Sequence, residues 1–363
     1  MTPLKKILIE EISANGPMLL ADYIARVLGD PDHGYYMQRR PFGTQNKDGG
    51  DFITAPEVSQ MFGELIGTWL ADLWHRMGQP SDFCLVELGP GRGTLMADIL
   101  RAANVLPDFA KAAQVHFVET SPALRAAQKQ VVPQAVWHND ISTLPQAPTL
   151  LIANEFFDAL PVQPYRKQGD DWAPIIVTAD GDNLALVDGD TTQAPFSEAL
   201  TACLPDTIND GDIVESAAAV ESAMHNLAQH IATHGGAALL IDYGHAKPAC
   251  GDSFQAMRGH GYVDPLAEPG LADLTAHVNF PLLAHIAEAT GLTAAPIIEQ
   301  GLFLEALGLS LRSQQLIQLS PDCEADIESE RHRLAAPQEM GSLFKVLAVA
   351  HANMPPLAGF PEV

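Results

Sequence analysis

Three glycines stand two apart in the stretch VELGPGRGTL, at Gly89, Gly91 and Gly93, between an apolar run and a helical pattern. Glycine at such a junction lets the backbone turn tightly, lets a ligand approach the main chain, and presents the N–H groups of a helix N-terminus. The spacing is G-x-G-x-G, not the G-x-G-x-x-G of dinucleotide sites. Glu87 stands two residues before the first glycine. A carboxylate there would repel a pyrophosphate and suits a ligand with a cationic amino-acid end. S-adenosylmethionine has such an end, together with a sulfonium and an adenosine, and is the ligand this turn is expected to hold. The bland alternative is a tight turn without a ligand, which the strand–helix context disfavours.

Two further acidic residues stand where the next apolar runs end. Glu119 closes VHFVE and Asp140 closes AVWHND. Ligands of doubly wound sheets bind at the carboxyl ends of the strands. Glu119 is therefore expected to accept hydrogen bonds from both ribose hydroxyls, and Asp140 to receive the adenine amino group; the alternative for each is a helix cap. TLLIAN then runs into EFFDALP, which puts Asn154, Glu155 and Asp158 at a fourth carboxyl end, beside a transferable methyl. Two carboxylates there could hold a cationic acceptor, since a planar guanidinium pairs bidentately with carboxylates. Methyl transfer is a direct displacement, so the protein's work is positioning and electrostatics. The plainer alternative has Asp158 capping a turn and Glu155 facing solvent. His260, Asp273 and His277, in a segment punctuated by Gly and Pro, are weaker candidates. His230 and His234 are four apart on a helical pattern and read as a solvated face, and no metal site is visible.

These residues need a scaffold that brings strand ends together. Residues 83–88, 115–119, 135–140, 149–154, 237–244, 296–300 and 344–350 read as strands, with helices over 94–106, 122–131 and about 281–290. Strands alternating with helices imply right-handed crossovers and a parallel sheet. Before it come helical patterns at 4–14, 17–28 and 57–77, with a loop between the last two that reads as ordered. Between 163 and 211 apolar and polar residues alternate around G-D and D-G turns, the mark of an inserted antiparallel hairpin. The expected architecture is thus α/β, a mostly parallel doubly wound sheet. An N-terminal helical cap with a lid loop spans 1–80, and the catalytic domain 81–363 carries the insertion.

Composition bounds the partners. The chain has 363 residues, 47% hydrophobic and 18% charged, and a formal net charge of -25. Such a field repels phosphate backbones, which argues against a nucleic-acid partner, and no apolar run is long enough to span a bilayer. The four cysteines, Cys84, Cys203, Cys250 and Cys323, are dispersed and form neither a zinc pattern nor a disulfide framework. With no signal-peptide pattern at the N-terminus, a cytoplasmic location is the default expectation.

Taken together, GYY (34–36), GDFITAPEVSQMFGELIG (50–67), VELGPGRGTLMADILR (86–101), VETSPALRAAQ (118–128), NEFFDALPV (154–162), LIDYG (240–244) and DLTAHV (273–278) resemble the MidA family over nearly the whole chain. That family comprises S-adenosylmethionine-dependent methyltransferases and includes the mitochondrial assembly factor for respiratory complex I. The resemblance implies a class I, Rossmann-like methyltransferase fold. It implies a protein acceptor, and for the mitochondrial member symmetric dimethylation of an arginine on a complex I subunit. By position it carries the glycine turn over to cofactor binding and Thr54, Glu57 and Ser59 to the lid of the cofactor pocket. A small-molecule methyltransferase and an assembly chaperone that binds S-adenosylmethionine without turnover stay open as alternatives.

Overall fold

A computed structural model describes residues 1–38, 54–103 and 106–361. Most of the predicted loop before Thr54, the Gly50–Ile53 part of the family motif, and residues 104–105 of the predicted helix 94–106 lie outside the described residues. Helices α1 (Pro3–Asn15), α2 (Leu20–Gly29) and α3 (Gln60–Arg76) precede the main sheet. Strand β1 (Phe83–Leu88) leads through the glycine turn into α4 (Thr94–Ala103). Strand β2 (Ala113–Val118) then leads to α5 (Pro122–Val131), and β3 (Val136–His138) and β4 (Thr149–Asn154) follow. Strands β5 (Gln163–Gln168), β6 (Asp171–Asp180), β7 (Asn183–Asp188) and β8 (Ile213–Ser216) form a separate sheet. Helix α6 (Ala218–His234), β9 (Gly236–His245), α7 (Phe280–Ala289) and β10 (Phe344–Ala350) complete the frame.

The main sheet runs β10-β9-β4-β1-β2-β3, parallel throughout except for β10, which pairs antiparallel to β9. Short strands Thr293–Ala294 and Ile298–Glu299 pair with the outer side of β10. The order reverses between β1 and β4, so the carboxyl ends of these neighbours flank the crevice where doubly wound folds bind ligands. This is the Rossmann-like class I arrangement the alternation predicts.

Both faces of the sheet are buried, as a parallel sheet requires. The period-2 geometry of strands divides the residues cleanly. Cys84, Val86, Leu151, Ala153, Ala238 and Leu240 join one core with α1 and α2. Phe83, Leu85, Leu150, Ile152, Leu239 and Ile241 join the other with α3 and α4. The segment expected to act as one N-terminal cap therefore divides, with α3 packed beside α4 in the second core. The predicted helix 57–77 is also interrupted. A helical turn over Ala55–Val58 ends at Ser59, whose extended backbone and side-chain oxygen start α3 by accepting from the Met61 N–H.

The insertion is larger than a hairpin. Strand β6 pairs antiparallel with both β5 and β7, β5 pairs with β8, and Met18–Leu19 adds to β6. A two-residue strand far away in sequence leaves no local pattern, which is why the apolar spacing predicts helix throughout 17–28. Helix α6 also departs from expectation at His230. It is half-buried, and its Nε2 lies 2.9 Å from Thr149 Oγ1 at the start of β4, so this face of α6 docks on the sheet instead of being solvated.

Candidate functional site

A cavity of about 350 Å³ opens at the carboxyl ends of β1, β2 and β4, lined among others by Gly89, Gly91, Glu119, Glu155 and Asp158. Its roof comes from the N-terminal segment, through Leu28, Tyr36 and Thr54. A crevice of about 40 Å³ shares Thr54, Gly89, Gly91 and Glu155 with it and adds Glu57, Glu87 and Asn154. Nine expected site residues thus converge on two adjoining spaces, although β1, β4 and Thr54 are remote in sequence.

The glycine turn explains its own composition. Gly89 and Gly91 have φ of +57° and +52°, a region where a side chain is strained. A Cβ on Gly89 would also stand 3.0 Å from the Phe156 ring. Gly93, φ +85°, shapes the turn without lining either space. Glu87, on β1, is fully buried, and burial pushes its carboxyl up to about 8 against one opposing backbone N–H, from Met96. Its Oε2 has no hydrogen-bond partner among the described residues. A buried acceptor left unsatisfied is costly, and an ammonium group would satisfy it. That orphaned oxygen beside glycine backbone fits the cationic amino-acid end of S-adenosylmethionine. Glu57, also at this crevice, accepts from the Thr94 hydroxyl at 2.7 Å.

Glu119 lines the cavity where expected, already braced: Oε1 accepts from the Ser121 N–H at 2.7 Å and Oε2 from Gln128 Nε2 at 3.2 Å. Each carboxylate oxygen keeps a further lone pair for a ligand hydroxyl. The buried Gln128 also donates to the Gly91 carbonyl at 2.8 Å, tying the glycine turn to Glu119. Two expected residues stand elsewhere. Asp140 is exposed, and its Oδ1 accepts from the Ser142 N–H at 2.8 Å, capping a single 3₁₀ turn; it lines neither space. Ser59 is buried as the cap of α3 and likewise lines neither. In both, a short polar side chain is consumed by the backbone N–H groups that follow it.

The turn after β4 is the most constrained part of the site. Glu155 has φ +51°, an uncommon conformation for a side-chain-bearing residue. The strain is held by the next strand: Asp242 Oδ2, on β9, accepts from the N–H groups of Phe156, Phe157 and Asp158 at 3.0–3.3 Å. Glu155 Oε1 accepts from Asn154 Nδ2 at 3.1 Å and from the Ala55 N–H at 3.3 Å, joining the turn to the roof. Asp158 Oδ2 accepts from the Tyr243 hydroxyl, while its Oδ1 is buried with no hydrogen-bond partner among the described residues. Burial, followed by the charge of Asp158, pushes Glu155 up to about 8. Burial also raises Asp158 to about 6, with the Tyr243 hydroxyl opposing. The expectation of a solvated Glu155 or a merely capping Asp158 finds no support in this geometry.

Asp242 and Tyr243 belong to LIDYG, where an acidic residue inside a buried apolar strand was the available signal that they serve the site. Asp273 lines the main cavity, and its Oδ1 accepts from the Tyr36 hydroxyl at 2.9 Å. Tyr36 links that cavity to β2's end as well, since its carbonyl accepts from the Ser121 hydroxyl at 2.7 Å. His260 occupies a turn with φ +64° and lines neither of the two spaces. His277 lines a different cavity.

The profile of a family described as S-adenosyl-L-methionine-dependent methyltransferases matches residues 65–298, well over half of the chain. The chain belongs to that family. It is a methyltransferase of the MidA-like kind, with S-adenosylmethionine as its cofactor. It is 39% identical to the Drosophila melanogaster "Protein arginine methyltransferase NDUFAF7 homolog, mitochondrial", over 98% of this chain and 88% of that protein. It is 34% identical to the Homo sapiens "Protein arginine methyltransferase NDUFAF7, mitochondrial", over 96% and 83%. Among solved structures, a Burkholderia thailandensis protein bound to S-adenosyl-homocysteine superposes with a TM-score of 0.84 at 25% identity, covering 98% of this methyltransferase and 93% of that chain. No helix among the described residues is long and apolar enough to cross a membrane.

Proposed function

We propose that this methyltransferase modifies a protein arginine, and that the acceptor guanidinium enters beside Glu155 and Asp158. The observation that carries this reading is the pairing of two buried, adjacent carboxyl groups on one turn, with Asp158 Oδ1 unpartnered among the described residues. A guanidinium offers planar paired donors to such acceptors and is not deprotonated in advance. The curated relatives bear the same activity in their names. S-adenosylmethionine, when bound, supplies a methyl group on a positively charged sulfur. Glu87 and the glycine turn would hold its amino-acid end, and Glu119 its ribose. Glu155, whose burial-raised carboxyl would ionise as the guanidinium docks beside it, would align one guanidinium nitrogen and take the proton that nitrogen releases after alkylation.

In this reading Leu28, Tyr36 and Thr54 of the N-terminal segment supply the roof of the site, and the 163–211 insertion contributes acceptor choice. A subunit of respiratory complex I is the acceptor suggested by the family resemblance, in a cytoplasmic setting. The test is tritiated methyl transfer from S-adenosylmethionine into a cell lysate by purified protein, with macromolecular and small-molecule fractions counted separately. Label in protein, released as methylated arginine on hydrolysis, is expected. Label confined to small molecules contradicts the proposal, and no label in either fraction favours a binding-only role.

A further inference from the structure

The turn after β4 borders two different cavities. Phe156 and Asp158 line the methyl-transfer site, whereas Phe157 and Val162 line a second cavity of about 550 Å³. Its other walls come from β8, from residues 249–255 and from residues 276–279. These segments are stitched together. The Gly251 N–H donates to the Ile213 carbonyl at 2.9 Å, and the His277 N–H donates to Ser253 Oγ at 2.9 Å. Ser253 in turn donates its N–H and hydroxyl to Glu215, at 2.9 and 2.6 Å.

The lining has a definite chemical character. One part is apolar, with Phe157, Val162, Leu204 and Leu282. The same lining holds Glu215 and two histidines, His245 and His277, whose pKa values burial lowers. His245 Nε2 is buried with no hydrogen-bond partner among the described residues. Glu215 is largely buried with only neutral donors, from Ser253 and the Phe254 backbone, and burial raises its carboxyl to about 7. A buried carboxyl with this surrounding gains most from a cation. Tyr262 also lines the cavity while 76% exposed, which offers an aromatic face at its mouth. Lysine and arginine join an aliphatic stem to a cationic head, matching both halves of the lining. The net charge of -25 favours the approach of a basic segment.

We propose that this second cavity receives a basic side chain of the acceptor polypeptide, near in sequence to the residue being methylated, with its head at Glu215 and its stem along Phe157. The proposal rests on the protein-acceptor reading above. A ligand seated there touches the back of the turn that carries Glu155 and Asp158, so occupancy would select acceptors with a second positive charge.

Binding can be measured without turnover. The probe is a fluorescein-labelled peptide of arginines interspersed with glycine and leucine, titrated by anisotropy into the full chain with S-adenosyl-homocysteine present. The control is the same peptide with citrulline for every arginine, which keeps the shape and removes the charge. Glu215→Gln and, independently, the cavity-filling Ala249→Trp are expected to weaken the arginine peptide at least fivefold. S-adenosyl-homocysteine affinity, as the folding control, should be unchanged in both. Equal binding by wild type and both variants overturns the proposal, as does equal binding of the citrulline peptide or no binding of either. A peptide held through Glu215 but never labelled by tritiated S-adenosylmethionine supports the cavity and contradicts arginine transfer. A labelled peptide indifferent to both substitutions does the reverse.

Discussion

Asp242 carries the geometry of the acceptor side without lining the cavity. Its carboxylate gathers three consecutive N–H groups that no helix or strand satisfies, and so holds Glu155 at positive φ. Asp242→Asn replaces one acceptor oxygen by a donor that would face an N–H. About a hundredfold loss in kcat is expected, since small misplacements of reacting groups cost that much. S-adenosylmethionine affinity should change little, because the glycine turn and Glu119 are held by Gln128 instead. Kinetics alongside calorimetry checks this; a variant with normal kcat would mean the turn keeps its shape unaided. At this scale the sequence was legible where position along a strand fixes a place at the crevice, as for Glu87, Glu119 and Glu155. It was ambiguous where a short polar residue could equally cap the backbone, as for Asp140 and Ser59. Tyr36 and Asp273 were the hardest to read, because their hydrogen bond spans 237 positions.

Elements were legible in proportion to their burial. The strands of the main sheet are apolar on both faces and short, so β1, β4 and β9 stand out from the residues alone. The edge strands were harder: Met18–Leu19 exists only because β6 offers it a partner. Ser59 marks another limit, since the apolar spacing on either side of it continues as one helical period while the backbone breaks. If Ser59 is a cap and no part of the cofactor lid, Ser59→Ala should lower stability by about 1 kcal/mol, the usual value of an N-cap hydrogen bond. Cofactor affinity should stay within twofold of wild type. A denaturant midpoint equal to wild type with weakened S-adenosylmethionine binding would reverse that assignment.

Across the whole molecule, the site is assembled at a cost that pH should reveal. Burial raises the carboxyls of Glu87 and Glu155 to about 8 and that of Glu215 to about 7. Unfolded glutamates titrate near 4.3, so the folded state binds more protons in between and these groups lose stability as pH rises towards 8. Buried histidines, with His116 lowered to about 4, act in the opposite sense, but their contribution is complete above roughly pH 6.5. Ligand-free protein should therefore show a lower urea midpoint at pH 8 than at pH 7, and Glu87→Gln should flatten the difference; a midpoint that rises would contradict the buried-carboxyl picture. The account as a whole turns on Glu155. Wild type and Glu155→Gln should be incubated with tritiated S-adenosylmethionine and the acceptor protein, with cofactor affinity measured in parallel and the labelled protein hydrolysed to amino acids. Wild type is predicted to yield labelled methylarginine. The glutamine variant should bind the cofactor normally and transfer at least about a hundredfold more slowly, as expected for losing the carboxyl that ionises against the docked guanidinium and accepts its proton. Normal turnover by the variant, or label on any amino acid other than arginine, would contradict the account.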